Sequence, residues 1–105
     1  MNDNLNEIIE LLTAAREHYR ERGGAVDDYS DGDGHTCALG SLIQTSFDRH
    51  ARMTARNAAR QELASRVPGG TGSIAGYNDS FTDLGERRAA ILDLYDATIK
   101  DLKNE

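Results

Sequence analysis

The chain has no tryptophan, one proline, one cysteine and only six aromatic residues in 105. Each scarcity excludes something. A single cysteine cannot close an intramolecular disulfide, so nothing points to an oxidising compartment. It also cannot supply the clustered thiolates of a structural zinc site. With few aromatics, the core must come from Leu, Ile and Ala, with Tyr19, Phe47, Phe81 and Tyr95 as its large pieces. No apolar run approaches the ~20 residues of a membrane span. The opening "MNDNLNEIIELL" carries acids and amides where a signal peptide needs positive charge. The expectation is a cytoplasmic protein that makes no membrane contact. No segment alternates with period two, so no sheet is expected.

What is present is helical periodicity. Leu5, Ile8, Ile9, Leu12, Ala15 and Tyr19 fall at i, i+3, i+4, i+7 spacing, and Gly23-Gly24 follows as a stop. A second stripe runs through Leu39, Leu42, Ile43, Phe47 and His50. A break is expected between Asp48 and Thr54, with Thr54 as N-cap of an Ala-rich third helix that ends at Pro68. Asp83, with Glu86 three residues on, resembles a capping box. It opens a last helix whose inward face is Leu84, Arg88, Ile91, Leu92, Tyr95, Ile99 and Leu102. The expected fold is all-α, one compact four-helix domain over 1–105, with helices at about 4–22, 37–48, 54–67 and 83–103. Segments 25–36 and 69–80 read as loops. So modest a core makes a homodimer a natural expectation.

Complete catalytic and metal signatures are absent. "YSDGDGHTCALG" laid on an EF-hand loop puts Tyr29 at the first position and Gly40 at the twelfth, where acids are required. Asp27, Asp28, Asp31 and Asp33 remain as an irregular cation cluster, set against a plain solvated loop of turn formers. His35 and Cys37, with His18 and His50 elsewhere, do not make a zinc pattern. Neither a metal nor a cofactor is expected. Cys37 near a helix start, with His35 beside it and Asn78 or Asp79 to orient it, is the one nucleophilic constellation. Read structurally, Cys37 is a small apolar residue packed at a helix start, and Asn78 or Asp79 reaches across to that start. The segments "CALG" and "YND" are then two halves of one joint, built from Cys37, Gly40, Tyr77, Asn78 and Asp79. "GGTGSIAG" has glycines but neither the Lys-Ser/Thr nor the preceding strand of a phosphate loop.

Charge carries more information. The net charge of −6 argues against duplex binding by the whole surface. Segment 49–66 nevertheless holds five Arg against one Glu, so it carries +4 and the rest of the chain −10. Arg49, Arg52, Arg56 and Arg60 recur at three- and four-residue steps and share a face if one helix spans them. Either this stripe meets an acidic partner or phosphates, or it pairs with the acidic faces of the first and last helices.

"CALGSL", then "GYND", then "ILDLYDATI" resembles a family of small uncharacterised proteins of actinobacteria and their phages. Members carry a C-A-L-G-A-L-like stretch, a W/Y/F-N-D triplet and a closing V/I-L-x-L-F/Y-D-x-A helix. The matching residues are Cys37, Ala38, Leu39, Gly40 and Leu42, then Tyr77, Asn78 and Asp79, then Ile91, Leu92, Leu94, Tyr95, Asp96 and Ala97. The Arg- and Ala-rich spacer departs from that pattern. The resemblance implies an origin and a fold, and an accessory factor that binds a host protein. The expected function is therefore a non-enzymatic interaction module whose contacts are Arg49, Arg52, Arg56, Arg60 and the 69–76 loop. The alternative is a small-ligand or nucleotide-binding domain, or a cysteine-dependent enzyme, at the Cys37, His35, Asn78 and Asp79 junction.

Overall fold

The apolar stripe of the first segment becomes α1 (Asp3–Arg22), which lies at the centre of the packing. The computed structural model describes residues 3–24, 36–69 and 72–104. Leu11, Leu12, Ala15 and Tyr19 are buried, and Leu5, Ile8 and Ile9 pack beside them. α1 touches α2 (Ala38–Asp48), α3 (Met53–Ser65) and α5 (Leu84–Lys103), while α4 (Ile74–Asp79) rests on α2 and α5. The described residues are all helix and connection, with one isolated bridge between Gly23 and Thr36. The radius of gyration, 12.7 Å, is that of a compact chain of this length.

α1 stops where a side chain no longer fits. The Gly23 amide donates to Tyr19 O at 2.6 Å, and a Cβ at Gly23 would collide with that same oxygen and with the Tyr19 ring. Gly24 follows with φ 131°, a conformation open to glycine. Two arginines of α5 close this end. Arg88 donates to the carbonyls of Gly23 and Arg20 and lies 5.9 Å from the centre of the Tyr19 ring. Arg87, only 7% exposed, donates to Phe81 O and Gly24 O. Both place positive charge at the negative end of the α1 dipole.

The fold is all-α as expected, with differences in detail. Among the described residues there are five helices, because "IAGYND", expected as loop, forms the short α4. Ser73 caps it, its hydroxyl accepting from Gly76 N at 3.0 Å. The α2–α3 break falls where expected, with His50 in the left-handed region at φ 53°. The N-cap of α3 is Arg52, not Thr54, and it contributes no side-chain cap bond. Asp83 does cap α5, accepting from Glu86 N at 2.9 Å.

The largest correction concerns α2. Its core face is Ala38, Ser41, Leu42 and Thr45, all buried and at i, i+3, i+4, i+7 spacing. The apolar row Leu39, Ile43, Phe47 stands to one side of that face. Leu39 is buried and Ile43 half-buried, but Phe47, expected in the core, is 69% exposed. Hydroxyls turn inward because they find partners there. Ser41 Oγ lies 2.6 Å from Thr36 Oγ1, and Ser46 Oγ donates to Leu42 O at 2.7 Å. Satisfied in this way, they cost little to bury. His50 is likewise exposed, and Leu84, expected inward on α5, is 54% exposed. Phe81 is half-buried, its ring edge-on to Tyr77 at 5.2 Å.

Candidate functional site

The first amides of α2 need partners outside the helix. Cys37 supplies one from the N-cap position, its sulfur accepting from Gly40 N at 3.2 Å. Asn78 supplies another from α4, its Oδ1 accepting from Ala38 N at 3.1 Å. Asn78 Nδ2 donates to Asp79 Oδ1 at 2.9 Å, and the Tyr95 hydroxyl donates to Ala38 O at 2.8 Å. The "CALG" and "YND" segments thus meet at one buried joint, with Tyr95 of α5 closing it. Cys37 is 3% exposed, and burial pushes its thiol up, opposed in part by the backbone amides of Gly40 and Leu39. Asn78 is fully buried, Gly40 is buried, Tyr77 is half-buried and Asp79 is exposed. His35 lies outside the described residues, as do Asp27, Asp28, Asp31 and Asp33. Among the described residues no group of three or more His, Cys, Asp or Glu can hold a metal ion.

Behind the joint lies a polar cluster that periodicity does not reveal. His18 Nδ1 is 3.3 Å from Ser41 Oγ and 3.4 Å from Thr36 Oγ1. Burial holds the His18 pKa below its ordinary value, with Arg22 adding to the effect. Ser41 is fully buried, so this Ser-His pair has no route to a substrate and acts as packing. The Tyr19 hydroxyl is buried and finds no hydrogen-bond partner among the described residues, and burial raises its pKa to about 12.

The arginines divide into two groups. Arg16 of α1 bonds Asp96 of α5 at 2.5 Å. Arg52 bonds Glu7 of α1 at 2.5 Å, which holds the Glu7 carboxyl below its usual range. Arg66 bonds Glu62 and Asp101 of α5, each at 2.9 Å. These three tie helices together across the surface. Arg49, Arg56 and Arg60 form no ion pair among the described residues. The break at residues 49–52 separates Arg49 from α3, and Arg52, the N-cap of α3, is held by Glu7 of α1. The expected stripe of four is therefore two unengaged arginines one turn apart, with Arg49 beyond the break.

Arg56 and Arg60 border a line of hollows between α2 and α3. One, of about 230 Å³, lies among Ser46, Phe47, His50, Ala51, Met53 and Arg56. A middle one, of about 60 Å³, is floored by Leu39, Leu42 and Ile43 and walled by Arg56, Asn57 and Arg60. The third, of about 210 Å³, joins Leu39, Arg60 and Ala64 to the start of α4 at Ser73, Ile74 and Ala75. Phe47 and Met53, 69% and 64% exposed, flank one end. In the 69–76 loop, Gly70 and Thr71 lie outside the described residues. No described helix is long and apolar enough to cross a membrane. Compared with protein-family models, curated proteins and solved structures, the chain matches none of them.

Proposed function

We propose that the protein is a non-enzymatic interaction module whose α2–α3 face binds an acidic surface of a partner protein. The observation that carries this reading is the position of Arg56 and Arg60. Among the described residues neither forms an ion pair, and both stand beside an apolar groove, whereas Arg16, Arg52 and Arg66 are paired with the chain's own acids. Exposed Phe47 and Met53 add the apolar anchors that interfaces favour. Each hollow is below the ~300 Å³ of an ordinary small-molecule pocket, so the groove suits side chains of a partner rather than a free ligand. The resemblance to small actinobacterial and phage proteins supports an accessory factor directed at a host protein. Cysteine-dependent catalysis is disfavoured by the buried, helix-capping thiol, since reactive cysteines are partly exposed with lowered pKa.

Affinity capture from host lysate at physiological salt tests the proposal, comparing the native chain with Arg56→Glu/Arg60→Glu. Arg52 is left intact because Glu7 already holds it. One protein retained by the native chain and lost by the variant is the expected result. Retention by both overturns the surface, and recovery of nucleic acid in place of protein overturns the partner class.

A further inference from the structure

We infer that the segment seated on the α2–α3 face is an amphipathic helix carrying two carboxylates one turn apart beside an apolar row. This rests on the proposed role of that face and names the kind of segment it takes. One wall of the groove is the α2 row Leu39, Ile43, Phe47, at i, i+4, i+8 and progressively more exposed. The other wall is α3, with Asn57 between Arg56 and Arg60. The hollows are continuous in their lining: Arg56 is shared by the first two, Leu39 and Arg60 by the last two. From Met53 to Ala64 the groove follows α3 for about 17 Å at the helical rise, room for roughly three turns of a docked helix.

Three considerations select the occupant. Between its two ends the groove is walled by the sides of two helices, whose amides and carbonyls bond within their own helices. An extended peptide laid here would bury backbone groups with nothing to bond, whereas a helix brings its own bonds with it. Arg56 and Arg60 are four residues apart, about 6 Å along the axis. A helix aligned with α3 meets them with acids at the same i, i+4 spacing, each forming a charge-assisted pair. A second copy of this chain is disfavoured, because a two-fold axis through this face brings Arg56 and Arg60 against their own counterparts.

The test is selection from a displayed library of random peptides long enough for four helical turns, with the full chain as bait. The expected winners carry two acids at i, i+4 with apolar residues on the adjoining stripe, and gain helical circular dichroism on binding. Their affinity falls about tenfold or more for Arg56→Glu/Arg60→Glu, while Asp93→Ala on α5 leaves it unchanged. Acidic winners that are rich in Pro or Gly and bind without gaining helicity overturn the helical occupant and leave the proposed surface standing. Winners without acids, winners indifferent to the double variant, or no winners at all overturn both.

Discussion

Asn78 Oδ1 accepts the amide hydrogen of Ala38, a residue forty positions earlier in the chain, at 3.1 Å in a fully buried setting. One side chain of α4 thereby completes the N-terminus of α2. It explains why a six-residue helix exists at all, since on its own it is far too short to be stable. Asn78→Ala removes the acceptor, strands the Ala38 amide and leaves a small void. The expected loss is about 2–3 kcal/mol, read by urea unfolding. Asn78→Leu keeps most of the volume without the acceptor and should lose a similar amount. A Leu variant close to native stability would mean that volume, not the bond, matters.

Cys37 should be inert in the native state. Iodoacetamide at neutral pH is expected to label it only as the protein unfolds, with labelling tracking the urea transition. Cys37→Ser keeps a capping acceptor, whereas Cys37→Ala removes it and should cost about 1 kcal/mol more. Rapid labelling of folded protein would contradict the buried joint and return Cys37 to consideration as a nucleophile.

His18 makes stability depend on pH in a definite direction. Its folded pKa lies below the unfolded value of about 6.5, so the unfolded chain binds the extra proton first. Its contribution is complete above that value and is lost as pH falls through the lowered folded pKa. The groups acting on it are Arg22, Asp48 and Glu21 by charge, and Ser41 and Thr36 by hydrogen bonding. Unfolding free energy measured between pH 8 and pH 5, for the native chain and for His18→Gln, should show a decline that the variant lacks. A parallel decline in both would assign it to other groups.

Arg87 is buried with carbonyls as its described partners, and it joins the end of α1 to the start of α5. Arg87→Met preserves much of the stem and abandons the Gly24 and Phe81 oxygens. A loss of about 1–3 kcal/mol is expected in thermal or urea unfolding, with an unchanged transition arguing that those oxygens find water instead.

These residues also show how far the sequence could be read. α1 and α5 were legible because long apolar stripes at helical spacing leave little choice, and Asp83 announced its cap three residues ahead of Glu86. α4 was not, because "GYND" is composed of turn formers and its helix depends on a bond made across forty residues. α2 was legible as a helix but misjudged in rotation. Ser41 and Thr45 look outward by polarity, yet the Thr36 hydroxyl receives Ser41 inside, which turns Phe47 to the surface. The arginine excess of 49–66 was plain, but its division between Arg52, paired to Glu7, and the unengaged Arg56 and Arg60 depends on the turn at His50. The joint of Cys37 with Asn78 was readable as a pairing of segments. The partners of His18 and Arg87 were not, since each is a tertiary contact with no local signature.

The most direct measurement is a residue-level footprint: amide and side-chain chemical-shift changes on adding a partner protein captured by the native chain. The expected changes are concentrated at Ile43, Phe47, Met53, Arg56 and Arg60, and disappear in Arg56→Glu/Arg60→Glu with the fold intact. A footprint centred on α5, or one that survives the double variant, would contradict the proposed surface.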